Sequence, residues 1–224
     1  MEYKYIFFDL DGTLTESGPG IINSVSYALN RLGVEVKDKD ELKKFIGPPL
    51  LDSMMQFYGM TEEEAERGIA YYREYYTEKG IFENTVYGGI PEALGKLKEA
   101  GKVLAVATSK PEVFARRIAE HFSFDCYFDT ICGAALDGSR VNKADVIQYT
   151  LETLGIAECD RGKVLMVGDR EHDILGAKKN GVASMGVLYG YGNRLELEEA
   201  GADYIIDVPA ELPAKILGGG IQCG

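Results

Sequence analysis

The sequence predicts an α/β fold, a parallel sheet wrapped by helices, with a small all-helical insert near its start. Three observations predict it. From Gly88 onward an apolar, β-rich run, a polar turn and an amphipathic helix closed by glycine recur in that order, the rhythm of strand–helix–strand units. The strand-like runs are almost continuously apolar, as they must be when both faces of a sheet are covered. Between Thr15 and Thr85 the rhythm stops, and apolar residues recur at helical spacing instead.

The elements follow in chain order. Tyr3 to Phe8 forms the first strand, and Lys102 to Ala107, Val164 to Val167, Ala183 to Val187 and Tyr204 to Ile206 form the others. The predicted helices between them are Pro91 to Ala100, Pro111 to His121, Lys143 to Leu154, Asp173 to Asn180 and Leu195 to Ala200. Gly101, Gly181 and Gly201 stand just past three of these ends, where a left-handed residue closes a helix. In the insert, Ile21, Ile22, Val25, Ala28, Leu29 and Leu32 mark one helix. Thr61 with Glu64 makes a capping-box start for a longer helix through Glu78. Gly47-Pro48-Pro49 stops one helix before another begins near Leu50. The only low-complexity stretch, Gly218-Gly219-Gly220, reads as a frayed tail.

Composition narrows the function. The chain has 224 residues, 46% hydrophobic and 27% charged, enough for a sizeable core. Its 24 Lys and Arg against 36 Asp and Glu leave a net charge of −12, which repels duplex nucleic acid and anionic membrane surfaces. A small anion can still bind where a few cations, amides or a metal converge. Cys126, Cys132, Cys159 and Cys223 form no Cys-x-x-Cys pair, and the N-terminus carries no signal-peptide pattern. No apolar run reaches the roughly 20 residues of a membrane span. These features predict reduced thiols and a cytoplasmic location.

Acidic residues cluster where such a sheet binds ligands. The first strand runs directly into Asp9-Leu10-Asp11-Gly12-Thr13-Leu14, at the strand's carboxyl end. An isolated Asp-x-Asp-Gly is equally at home in an ordinary turn. A calcium-binding helix–loop–helix is excluded, since its glycine and glutamate positions are filled by Leu14 and Gly20. A second cluster, Gly168-Asp169-Arg170-Glu171-His172-Asp173, follows another strand and opens a helix. Acids there could be helix caps. Two clusters at equivalent strand ends point instead to a shared cation, because like charges brought together need a counter-ion. Carboxylate oxygens suit Mg²⁺ above softer metals. Thr108-Ser109-Lys110, after a strand and before Pro111, predicts an anion cradle at a helix N-terminus. Lys143 opens a helix, where a cation opposes the dipole and so favours a task for it.

The order Asp9-x-Asp11-Gly12-Thr13-Leu14-Thr15, Thr108, Lys143, Gly168-Asp169-x-x-x-Asp173 resembles the four motifs of the haloacid dehalogenase-like hydrolase superfamily, over nearly the whole chain. Thr108-Ser109-Lys110-Pro111, Gly47-Pro48-Pro49-Leu50 and Gly186 to Gly192 are similar to its phosphoglycolate phosphatase and 5′-nucleotidase-like branch. The resemblance implies a Rossmann-like core over 1–14 and 87–224, with a type C1 helical cap over 15–86. It implies that Asp9 is the nucleophile and Asp11 the general acid and base. Asp9, Leu10, Asp11, Gly12, Thr108, Ser109 and Lys143 would bind phosphate. Asp9, the Asp11 carbonyl, Asp169 and Asp173 would hold Mg²⁺. An acid at Asp11 points to phosphatase or mutase chemistry rather than dehalogenation. Two departures stand out: Lys143 is followed by Ala144 where many relatives have proline, and Arg170-Glu171-His172 replaces small residues. The second makes Glu171 a competitor of Asp173 for the metal.

The implied reaction is Mg²⁺-dependent hydrolysis of a small phosphomonoester, phosphoglycolate or a nucleoside 5′-monophosphate, by a monomer or homodimer. Substrate choice would fall to the cap. There Tyr71, Tyr72, Tyr75 and Tyr76, near Arg67 and Arg73, read first as bundle core and second as a stacking surface for a base. His172 and His121 read as surface helix residues. Gly190-Tyr191-Gly192-Asn193-Arg194-Leu195 lacks the third glycine of a dinucleotide fingerprint and is expected to border the phosphate pocket. The alternatives are a phosphosugar mutase and, in another class, a binding or regulatory protein on the same fold.

Overall fold

The computed structural model describes residues 2–218. Gly219, Gly220 and Cys223, and with them most of the expected glycine tail, lie outside the described residues. Contacts divide the chain into two compact units, Glu16–Thr85 and the rest. Among the described residues no helix is long and apolar enough to cross a membrane.

The larger unit is a six-stranded parallel sheet with helices between its strands. Its elements are β1 (Tyr5–Phe8), α4 (Ile90–Glu99), β4 (Val103–Pro111), α5 (Glu112–His121), β5 (Thr130–Ala134), α6 (Lys143–Thr153), β6 (Val164–Gly168), α7 (Glu171–Lys179), β7 (Ala183–Val187), α8 (Arg194–Ala200), β8 (Tyr204–Ile206) and α9 (Leu212–Leu217). Short strands β2 (Thr15–Glu16) and β3 (Thr85–Val86) lie where the chain leaves this unit and returns. The sheet order β5-β4-β1-β6-β7-β8 puts β1 in the middle. β1 pairs in parallel with β4 through Phe8 and Val106, and with β6 through Phe8 and Val167. The carboxyl ends of three strands therefore lie side by side.

The core explains why this arrangement is fixed. Ile6, Phe7 and Phe8 are wholly buried. Phe7, Ala105 and Met166 on adjacent strands pack with Ile147 and Leu151 of α6 and Ala177 of α7. Burying a side chain such as Phe7 contributes about 2–3 kcal/mol, so sliding β1 by one residue would expose that face at large cost.

The structure differs from the sequence reading at particular elements. β1 starts at Tyr5 rather than Tyr3, and α7 starts at Glu171 rather than Asp173 because the Arg170 N–H donates to Asp173 Oδ2 at 3.1 Å, capping the helix earlier. β4 runs on to Pro111 where a helix start was expected, and α5 begins only at Glu112. The cause is β5, a strand the sequence did not announce: its Gly133 and Ala134 pair with Thr108 and Pro111 across a bulge. With the sequence Thr-Ile-Cys-Gly-Ala, β5 is short and poor in bulky apolar residues. The strand pieces β2 and β3 and the helix α9 were likewise unassigned.

The smaller unit is helical: α1 (Gly18–Arg31), α2 (Leu50–Tyr58) and α3 (Glu62–Glu78). α1 buries Val25, Ala28 and Leu29, and α3 buries Ala65, Tyr72 and Tyr76. Tyr72 and Tyr76 stack at 5.2 Å with planes 14° apart, which makes them core. Tyr71 lies under the Arg31 guanidinium, 4.4 Å from the ring centre, and the Tyr75 hydroxyl donates to Glu83 Oε1 at 2.9 Å. Arg67 and Arg73 are exposed. Pro49 precedes α2, ending the turn that Gly47-Pro48-Pro49 announced.

The start of α3 is a reciprocal capping box. The Glu64 N–H donates to Thr61 Oγ1 at 3.3 Å and the Thr61 N–H to Glu64 Oε2 at 2.9 Å. Thr61→Ala is expected to cost about 1 kcal/mol locally, so amide exchange over 62–65 should quicken about fivefold while β1 amides are unchanged. Unchanged exchange in that first turn would show that the box does not hold the helix end.

Candidate active site

The carboxyl ends of β1, β4 and β6 bring five polar side chains together. Asp9 follows β1, Thr108 lies near the end of β4, Asp169 follows β6, Asp173 sits in the first turn of α7, and Lys143 is the first residue of α6. Ligand oxygens of Asp9, Asp169 and Asp173 all fall within 4.8 Å of one another. Thr108, Lys143, Asp169 and Asp173 are buried, and Asp9 nearly so.

Lys143 ties the cluster together. Its Nζ stands 2.7 Å from Asp9 Oδ1 and 2.8 Å from Asp173 Oδ1, and donates to the Ala107 carbonyl at 3.1 Å. Burial works against its charge, but Asp173 and Asp9 more than offset that and hold it well above the ordinary lysine range. These contacts place the ammonium of the first α6 residue between two carboxylates. Asp9 also accepts from the Leu10 N–H at 2.8 Å, and the Thr108 hydroxyl bonds its carboxylate.

Asp169 is oriented from two sides. Thr13 Oγ1 donates to its Oδ1 at 3.3 Å, and the Tyr191 N–H donates to its Oδ2 at 2.8 Å. Gly12 lies so close that a Cβ there would strike the Asp169 carboxylate, and its φ of +82° belongs to the left-handed region. Tyr189, whose hydroxyl donates to the Thr13 carbonyl at 3.1 Å, fastens the loop that contains Gly12. The segment from Gly190 thus borders this cluster through its backbone, whereas Arg170 turns away to Glu196, 2.8 Å distant.

One lysine cannot neutralise three carboxylates in so little water. Burial pushes Asp9 up to about 6; Lys143 pulls it down and Asp173 adds to the rise. Burial, then Asp173 and Asp9, holds Asp169 well above the usual carboxylate range. Both carboxyls are thus costly to ionise here, through burial first and neighbouring carboxylates second. The donor set, three convergent carboxylates and no soft ligand, fits a hard divalent cation.

The remaining predicted residues fall differently. Asp11 turns from the cluster and pairs with Lys110, Nζ to Oδ2 at 2.5 Å. Leu10 is buried and Gly12 donates its N–H to the Thr15 carbonyl at 2.8 Å. Ser109 is exposed. The expected helix-end cradle is absent from that place: Thr108 to Lys110 is a strand bulge, where the Lys110 N–H donates to Thr108 Oγ1 at 3.2 Å. Glu171 and His172 are exposed, so it is Asp173 and not Glu171 that joins Asp169 in the cluster. The Asp11–Lys110 pair escaped sequence reading because 99 positions separate its members, although both lie in quoted motifs.

Comparison with known proteins bears on this geometry. Residues 6–187 match the haloacid dehalogenase-like hydrolase family. A protein named 5′-nucleotidase from Pseudomonas aeruginosa is 50% identical over 197 residues, 88% of each chain. A Mycobacterium tuberculosis protein named tyrosine-protein kinase PtkA is 42% identical over 190 residues, 84% of this chain and 63% of that one. The crystal structure of a predicted phosphatase from Clostridium acetobutylicum superposes with a TM-score of 0.91 at 50% identity, over 97% of this chain and 100% of that one.

A raised carboxyl has a definite sign in folding. Between about pH 4 and 6 the ion-free folded protein keeps a proton on Asp9 that the unfolded chain has released. Asp9 therefore contributes stability below about pH 4 and loses it as pH rises through about 6. In chelator, Asp9→Asn should gain in melting temperature over the unaltered protein as pH goes from about 5 to 8. The opposite trend would show that Asp9 is stabilised as the anion.

Proposed function

The chain belongs to the haloacid dehalogenase-like hydrolase family and to its phosphatases, and we propose that it hydrolyses a small phosphomonoester through an aspartyl-phosphate, with Mg²⁺ as its metal. The observation that carries the proposal is the Asp9–Lys143–Asp173 contact beside Asp169 at the carboxyl end of the sheet. The Pseudomonas relative's name supports a nucleoside 5′-monophosphate as the leading substrate, with phosphoglycolate as the other one to test. A cytoplasmic, monomeric or homodimeric protein is part of the same proposal.

Asp9 is the nucleophile. Its carboxylate, fixed by the Leu10 N–H and Lys143, attacks phosphorus in line with the leaving oxygen, which splits one slow hydrolysis into two easier steps. Asp11, two residues on past a bend at Leu10, donates a proton to the leaving alkoxide as the ester bond breaks. It then takes a proton from the water that attacks phosphorus and frees Asp9. Lys143 and Thr108 hold the equatorial oxygens in place as their charge develops, and the amides near Leu10 and Gly12 border the same space.

Asp9, Asp169 and Asp173, with the Asp11 carbonyl, would hold Mg²⁺. When bound, the ion supplies the positive charge that three carboxylates lack and polarises the phosphoryl oxygens. Lys143 cannot do this alone, since it is already shared between two carboxylates. Its reach to both also keeps Asp9 aligned in the absence of a ligand.

Phosphate release should depend on Mg²⁺ and stop in excess chelator, across a panel of nucleoside monophosphates, phosphoglycolate and sugar phosphates. Asp9→Asn should lower turnover by about 10³-fold or more, the scale seen when other enzymes lose a nucleophile, while circular dichroism stays native. Full activity in that variant would overturn the mechanism. Hexose phosphate interconversion without release would favour a mutase, and no reaction with any ester would favour a binding protein.

A further inference from the structure

The Asp11–Lys110 ion pair lies outside the metal cluster, and its two carboxylate oxygens are unlike. Oδ2 meets Lys110 Nζ at 2.5 Å, while Oδ1 is buried with no hydrogen-bond partner among the described residues. A buried carboxylate oxygen without a donor is costly, and is tolerated where a ligand will supply one. Lys110 is itself 6% exposed along its side chain. That placement comes with the bulge: Thr108 pairs with Gly133 and Pro111 with Ala134, and the register shifts over Ser109 and Lys110 between them. Gly133 is needed for this, because a Cβ there would lie 2.5 Å from the Lys110 carbonyl and 2.7 Å from the Glu112 nitrogen.

We propose that Lys110 is a positioning residue, which clamps one oxygen of Asp11 so that the other, Oδ1, is the atom that passes the proton to the leaving alcohol and later takes one from water. The proposal rests on the acid–base reading of Asp11 given above and deepens it. Without Lys110 the carboxyl would be free to rotate about its terminal bond, and neither oxygen would be held toward the reacting atoms. In this account Lys110 contacts neither phosphorus nor the three clustered carboxylates. It acts through the Asp11 carboxylate, and its effect must follow the leaving group's need for a proton.

The test is a comparison of first-turnover alcohol release from an alkyl ester, phosphoglycolate or a nucleoside 5′-monophosphate, with that from p-nitrophenyl phosphate, whose leaving group departs without a proton. Asp11→Asn is the benchmark. Lys110→Met should slow alkyl release at least about tenfold more than p-nitrophenolate release, within the range of general acid catalysis, and leave inhibition by orthovanadate within about twofold. Lys110→Gln, which keeps polarity, should show the same split if the methionine variant fails to fold. Equal slowing of both esters in Lys110 variants, with the split present in Asp11→Asn, would overturn the proposal and leave the acid reading standing. No split in Asp11→Asn would overturn that reading, and the proposal with it.

Discussion

Three carboxylates are buried against one another at the carboxyl end of a parallel sheet, with one lysine among them, and much of the larger unit can be understood as the means of keeping them there. Like charges at this separation repel strongly once water is removed. Burial first, and repulsion from neighbouring carboxylates after it, make both Asp9 and Asp169 resist ionisation. A chain free to relax would move them apart. Here they are held by the central strand β1, by β6 beside it, and by the first turn of α7, each anchored in a core that includes Phe7, Met166 and Ala177. Hydrophobic burial thus sustains an electrostatic conflict that a divalent cation would resolve. Preorganised charge of this kind costs no rearrangement when a reaction needs it.

Around this conflict the backbone is specialised. Gly12 lets the chain turn within contact of Asp169, and the Tyr191 amide fixes the same carboxylate from the opposite chain segment. A bulge in β4 separates Thr108, which serves Asp9, from Lys110, which serves Asp11. The two aspartates of the first motif are thereby given different partners. Asp9 sits among the clustered carboxylates, while Asp11 is withdrawn from them onto Lys110. On the proposed mechanism, that division of environment is what lets two aspartates only two residues apart take different parts in one reaction.

Much of this was legible in the sequence where signals are local. The strands at Ala183–Val187 and Tyr204–Ile206 match their predicted bounds, since short apolar runs that follow a helix-closing glycine leave little choice. Asp9, Asp169, Asp173, Thr108 and Lys143 were legible as a group because each follows a strand end or opens a helix, and strand ends in a parallel sheet converge. The Thr61 capping box was legible because its donors and acceptors lie within four residues. What escaped reading depends on contacts across the sheet. β5 has small residues suited to passing close to a bulge, and only its pairing with β4 reveals it. The extension of β4 to Pro111 follows from that same pairing. Lys110 was read as part of an anion cradle because its carboxylate partner is remote in sequence, and the packing of Tyr72 on Tyr76 could not be told from a stacking surface by spacing alone.

The central claim is that Asp9 carries the phosphoryl group between the two steps. Its most direct test is rapid acid quenching during turnover of a reactive phosphomonoester with Mg²⁺, followed by mass spectrometry of peptides. The account predicts a phosphoryl adduct on the peptide containing Asp9, removable by hydroxylamine as an acyl phosphate should be. An adduct on another residue, or full turnover with no adduct at any quench time, would contradict it.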